Sequence, residues 1–110
     1  MEISNPKNYT LITSTEKSFE VFHAAFIRQD LHTVSNHKIV QLSENLNTTI
    51  PNLLLFLNVA NEHKNNGMSF VIICNGIDID EISDEINIVP TILEAEDILE
   101  MEAIERDLGF

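Results

Sequence analysis

Few residues in this sequence could carry chemistry, and their spacing argues against most of it. A nucleophilic mechanism needs a serine or cysteine with a base in reach. Cys74 is the one cysteine, and at the end of the apolar run Phe70-Val71-Ile72-Ile73 it reads as a buried small hydrophobe. Ser43 closes a strand, a good address for a working residue, but no histidine is placed to activate it. The four histidines, His23, His32, His37 and His63, fall on or beside helices without the clustering that a metal centre requires. Asp78, Asp80, Glu81, Asp84 and Glu85 crowd together, yet they lack the glycine and final glutamate of the calcium-binding loop. Weak cation binding is the most they suggest. Three glycines in the chain are too few for a phosphate-binding loop or a dinucleotide fingerprint, and neither motif occurs. The residues therefore predict no catalytic group, no metal and no cofactor.

Charge narrows the partners. The formal net charge is −12. From Asp78 to Asp107 there are twelve acidic residues and one basic residue, Arg106. Such a surface repels phosphate backbones and anionic lipids, so neither nucleic acid nor membrane is expected as a partner. It either keeps a small domain soluble or steers the protein to a basic partner. A chain of 110 residues with 44% hydrophobic content suits one domain with one core. There is no membrane-length apolar run, and MEISNPKNYT lacks the basic and apolar regions of a signal peptide. Together with the lone cysteine, this reads as a cytoplasmic protein.

The elements that would position any site centre on residues 38–74. Ile39, Val40 and Leu42 form a short apolar run, Ser43 to Thr49 a polar loop, and Leu53 to Val59 an apolar helix. Lys64-Asn65-Asn66-Gly67 stops that helix, and Phe70 to Ile73 is a second strand. This is a βαβ crossover, with parallel strands and a right-handed connection. The loop Ser43–Thr49 then lies at the C-terminal end of a strand and the N-terminus of a helix, where α/β domains place their working surfaces. Thr49 is the expected N-cap and Pro51 sits harmlessly in the first turn. Leu53, Phe56, Leu57 and Ala60 share one arc; Leu55 and Val59 form a second ridge that needs a neighbouring helix or a partner to cover it.

Before this unit, Tyr9 to Ile12 reads as a strand. Phe19, Phe22 and Phe26, with Ala25, mark the core face of a helix starting between Ser14 and Ser18 and reaching about Leu31. After it, Asn75-Gly76 is a turn, Ile77 to Ile82 a short helix or connector, and Ile86 to Val89 a strand ended by Pro90. Thr91 and Glu94 make a capping box. In the helix that follows, Ile92, Ala95 and Leu99 lie on one side and Met101, Ile104 and Leu108 on another, which predicts either a bend near Glu100 or two covered faces. The order is β-α-β-α-β-(α)-β-α, a small mostly parallel or mixed four-stranded sheet with covering helices, an α/β fold.

Several phrases resemble the STAS domain, the fold of anti-sigma-factor antagonists. They are Ile39-Val40-Gln41-Leu42-Ser43, Thr49-Ile50-Pro51-Asn52-Leu53, Lys64-Asn65-Asn66-Gly67 and Ile88-Val89-Pro90-Thr91-Ile92-Leu93-Glu94-Ala95. The resemblance spans Tyr9 to Leu99 of a single domain over residues 1–110. It implies a protein-binding face built from the loop and the helix start: Ser43, Asn45, Asn47, Thr48, Thr49 and Asn52. The family's phosphorylatable serine falls on Ile50, which has no hydroxyl, so the switch does not carry over. Thr48 and Thr49 are the nearest hydroxyls. On this resemblance the family's first edge strand is expected to be missing, with too few residues before Tyr9, and residues 101–110 extend beyond the family pattern.

The phrases Phe70 to Ile82 and Glu94 to Phe110 are also similar to small STAS-like bacterial proteins sometimes labelled ribonuclease Z. That enzyme's zinc-binding histidine cluster is absent from this sequence, and the chain is far shorter than such a fold requires. The expected function is a non-catalytic protein–protein interaction module, with an anti-sigma-factor-like regulator as partner. The alternatives are a small accessory subunit of an RNA-processing enzyme, and a structural homodimer formed through Leu55, Val59 and the C-terminal extension.

Overall fold

Residues 70–73 are apolar at every position, the pattern of a strand covered on both faces. In the computed structural model, which describes residues 1–78, 82 and 84–109, this segment is an inner strand of a five-stranded sheet with the order β1-β2-β3-β4-β5. The strands are β1 (Glu2–Ser4), β2 (Tyr9–Thr13), β3 (His37–Gln41), β4 (Phe70–Ile73) and β5 (Asn87–Val89). β2 to β5 are parallel, and β1 lies antiparallel on β2 with Ile3 opposite Ile12. The expected crossover is there: β3 occupies the middle of the sheet and pairs directly with β4.

The sheet has one strand more than the sequence predicts. The first edge strand is present, contrary to the expectation that too few residues precede Tyr9. It is three residues long and exposed throughout, so no buried face imposes the alternation by which strands are recognised. Ladder bonds hold it, as do the Met1 ammonium's bonds to Glu16 Oε2 at 2.7 Å and to the Thr15 hydroxyl.

Two apolar layers clothe the sheet. On one face Ile12, Val40, Phe70 and Ile72 meet α1 (Phe19–Arg28), α2 (Ile50–Leu54) and α3 (Leu57–Asn65). On the other, Ile39, Val71 and Ile73 meet Ala95 and Leu99 of α4 (Ile92–Asp107). Successive residues of β3 and β4 feed opposite layers, as the period of two requires. Helix α1 begins at the Ser18 cap, which accepts the Val21 N–H at 3.3 Å, and ends at Arg28, short of Leu31. Its three phenylalanines are all buried.

The helix expected from residue 50 to residue 64 is broken. Leu55 and Phe56 donate their N–H groups to Asn52 O and Leu53 O, three residues back, and this tight turn separates α2 from α3. The turn seats the fully buried Phe56 ring edge-on to Phe19 at 5.8 Å and to Phe26 at 5.3 Å. Such contacts add to the stabilisation from burial. The predicted second ridge divides: Val59 is buried and Leu55 is exposed. Gly67 then ends the crossover helix with a positive φ of 72°, which glycine adopts without steric cost.

Helix α4 starts at Thr91, whose hydroxyl accepts the Glu94 N–H at 3.2 Å. It runs unbroken to Asp107, so residues 101–107 continue the helix and no bend occurs at Glu100. Within residues 77–82, Ile77 is half-buried, Asp78 exposed and Ile82 buried; residues 79–81 of the connector expected there lie outside the described residues. No described helix is long and apolar enough to cross a membrane.

Candidate functional site

Parallel pairing puts the C-terminal ends of β3 and β4 side by side, so the loops that leave them share one rim. The β3 loop is built stepwise. Ser14 Oγ accepts the Ser43 N–H at 2.7 Å and pins the loop's start to the end of β2. The Ser43 hydroxyl accepts the Asn45 N–H at 3.2 Å and caps a single 3-10 turn over Glu44–Leu46. Leu46 is buried and anchors that turn. Asn47 then takes the left-handed conformation, φ 51° and ψ 48°, one that asparagine tolerates better than most residues. This reversal carries the chain to the cap of α2.

That cap is reciprocal. Thr49 Oγ1 accepts the Asn52 N–H at 3.3 Å, and Asn52 Oδ1 accepts the Thr49 N–H at 3.0 Å. Ile50 is half-buried and packs against the larger core layer. The next turn carries Leu54 and Leu55, which are 41% and 54% exposed. They expose apolar surface at the C-terminal end of α2.

A cleft of about 500 Å³ opens between the two strand ends. Leu42, Ser43, Glu44, Asn47 and Thr48 form one wall, and Cys74, Asn75 and Gly76 the other. The structure thus gathers three of the six expected binding residues at the cleft. Asn45 stands exposed beside it, and Thr49 and Asn52 are engaged in the helix cap. The second wall escaped the sequence reading, which took Asn75-Gly76 only as a turn. The signal was available, because parallel neighbours must bring their C-terminal loops together.

The cleft's chemistry is that of recognition by hydrogen bonds. Glu44 is the charged residue among its linings. Thr48 Oγ1 is buried with no hydrogen-bond partner among the described residues, a state that costs free energy unless a ligand or water satisfies it. Burial pushes the Cys74 thiol above its ordinary pKa, which lowers its thiolate fraction and its nucleophilicity.

None of the four histidines reaches this rim. His23 stacks on Phe19, with ring centroids 5.7 Å apart, midway along α1. His37 starts β3, roughly 13 Å of strand from its C-terminal end, and its Nδ1 accepts the Ser69 N–H at 2.9 Å. His63, wholly buried, donates from Nδ1 to Val59 O at 2.8 Å. Its Nε2 accepts from Lys38 Nζ at 2.9 Å, and the same ammonium donates to Thr33 O at 2.6 Å. Lys38 is 2% exposed. Burial pushes both of these groups below their ordinary pKa values, with repulsion by Lys38 adding to the effect at His63. Among the described residues no three histidine, cysteine or acidic side chains gather as a metal cluster. Compared with known proteins, the chain matches no protein-family model and no curated protein.

Proposed function

We propose that this protein is a STAS-like binding module that docks another protein on the rim formed by the Ser43–Thr49 loop and the start of α2. The observation that carries the reading is the open cleft between the ends of β3 and β4, lined by the polar residues Ser43, Glu44, Asn47, Thr48 and Asn75, with Leu54 and Leu55 exposed at the end of the helix that follows the loop. Exposed apolar residues and open polar side chains are what a protein interface needs: area to bury and donors or acceptors to fix register. The five-strand order, with its antiparallel edge strand, supports the STAS resemblance further, because it supplies the element that the sequence seemed to lack.

The partner in keeping with that resemblance is a kinase-like anti-sigma factor. With Ile50 at the switch position, packed against the core, its binding is constitutive and not gated by phosphorylation there. The test is an affinity capture from native cytosol with the wild-type chain and with Leu54→Asp/Leu55→Asp. Recovery of a kinase-like anti-sigma factor by the wild type, and its loss with the variant, supports the proposal. Recovery of a large metallohydrolase insensitive to the variant favours an accessory subunit. Zinc-dependent cleavage of precursor transfer RNA by the purified chain refutes the non-catalytic reading.

A further inference from the structure

The larger unexplained surface lies on α4, away from the cleft. At 100° per residue, Leu93, Met101, Ile104 and Leu108 fall within an arc of roughly 80°. They are 70%, 58%, 58% and 65% exposed, while Ala95 and Leu99, on the opposite side, are packed against the sheet. The helix is thus apolar on two sides, and one of them has nothing on it. Met101, Ile104 and Leu108 make a continuous apolar stripe over the last turns, with Leu93 one further anchor beyond Asp97, and such a stripe is the form of surface that receives another amphipathic helix.

Charge selects the occupant. Carboxylates border the arc on both edges, Glu100 along one and Glu94 and Glu105 along the other, and Asp97 falls inside it, one turn from both Leu93 and Met101. All four are exposed, and none has an ion-pair partner among the described residues. At its N-terminal end the stripe runs into a groove of about 220 Å³ between α4 and residues 7–9. There Glu96 is already committed, to Lys7 at 3.1 Å and to the Tyr9 hydroxyl at 2.7 Å. A second copy of this chain would bring its own carboxylate borders against these, on top of a net charge of −12 for each protomer, so like charges oppose self-association. An anionic lipid surface is repelled for the same reason.

We infer that the outward face of α4 is a docking site for a basic amphipathic helix of a partner protein. Such a helix would place leucine-like side chains at helical spacing on the stripe and lysine or arginine against the carboxylate borders. This surface and the cleft rim are independent: either can fail without the other.

The probe is a labelled 18-residue leucine/lysine amphipathic peptide, with its leucine/glutamate counterpart of the same leucine spacing as control. Binding to the full chain is read by fluorescence anisotropy at low and high salt. The lysine peptide is expected to bind, more weakly as salt rises, and the glutamate peptide not to bind. Met101→Ser with Ile104→Ser removes two exposed side chains and should weaken binding about 100-fold, about tenfold for each anchor. An unchanged urea midpoint shows that the fold is intact, and single Ile104→Ser, expected at about tenfold, serves if the pair fails to fold. Absence of binding overturns the proposal, as does binding indifferent to these substitutions or sensitive instead to Thr48→Val at the cleft. A concentration-dependent dimer in sedimentation that Ile104→Ser dissolves assigns the stripe to a second copy and also overturns it. Binding to neutral phosphatidylcholine vesicles through the same residues overturns it in favour of lipid.

Discussion

The two ends of β3 use polar residues in opposite ways. At the N-terminal end, Lys38, His63, Thr33 and Val59 form a closed chain of hydrogen bonds inside the core, with both ionisable members almost wholly buried. At the C-terminal end, Ser43, Asn47 and Thr48 line an open cleft; a buried atom without a hydrogen-bond partner occurs near each end, His32 Nδ1 in the loop before β3 and Thr48 Oγ1 after it. Polar groups that satisfy one another fix a structure. Polar residues that line an opening are available to a ligand. The contrast is between a sealed end and an open one, and it can be broken by substitution at either end.

The largest effect is expected at the sealed end. His63→Leu leaves the Lys38 ammonium buried with only the Thr33 carbonyl, and should cost about 3 kcal/mol. Lys38→Met added to it removes the stranded charge and should restore most of that loss, since an apolar pair of similar volume is close to neutral. Urea unfolding of the wild type, the single variant and the double variant measures the coupling. If the double variant is no more stable than the single, the pair does not act as a unit.

Acid should weaken the same end. The folded pKa of His63 lies below its ordinary 6.5. Between those two values the unfolded chain binds a proton that the folded chain refuses, so stability is complete above pH 6.5 and falls as pH drops toward the folded value. His23 and His37 are shifted in the same direction, mainly by burial, and add to the slope. Urea midpoints between pH 7.5 and 5.5 should therefore fall in the wild type and fall less in Lys38→Met/His63→Leu. Equal slopes in the two proteins would mean that His63 is not the group responsible.

How much of this was legible in the sequence depends on whether a residue's pattern had a single structural meaning. Phe19, Phe22 and Phe26 could only be a core face, and they are. Thr49 and Thr91 cap their helices because hydroxyl chemistry at an N-terminus is local and needs no tertiary information. β1 was missed because its three exposed residues carry no period. The break at Leu55–Phe56 was missed because it serves aromatic packing from α1, a contact that no local window contains. Burial of Lys38 was not read from the sequence, because its partner His63 lies 25 residues away, and only the crossover brings them together. Half of the cleft was legible for the same kind of reason. The Ser43–Thr49 loop announces itself, whereas Asn75 and Gly76 become a wall only once β3 and β4 are neighbours.

Smaller effects are expected at the open end. Thr49→Ala removes one half of a reciprocal cap and should cost about 1 kcal/mol, read as a shift in urea midpoint without a change in slope. Thr48→Val is the sharper test. The replacement keeps the branched shape and deletes a hydroxyl that has no partner to lose. An ordinary buried threonine would be destabilised by the change, because its hydrogen bond would go with it. Here stability should hold or rise by up to about 1 kcal/mol, while binding of the partner captured at this rim should weaken. A loss of stability would mean that the hydroxyl already serves the fold, for instance through an ordered water, and the open end would then be scaffold like the other.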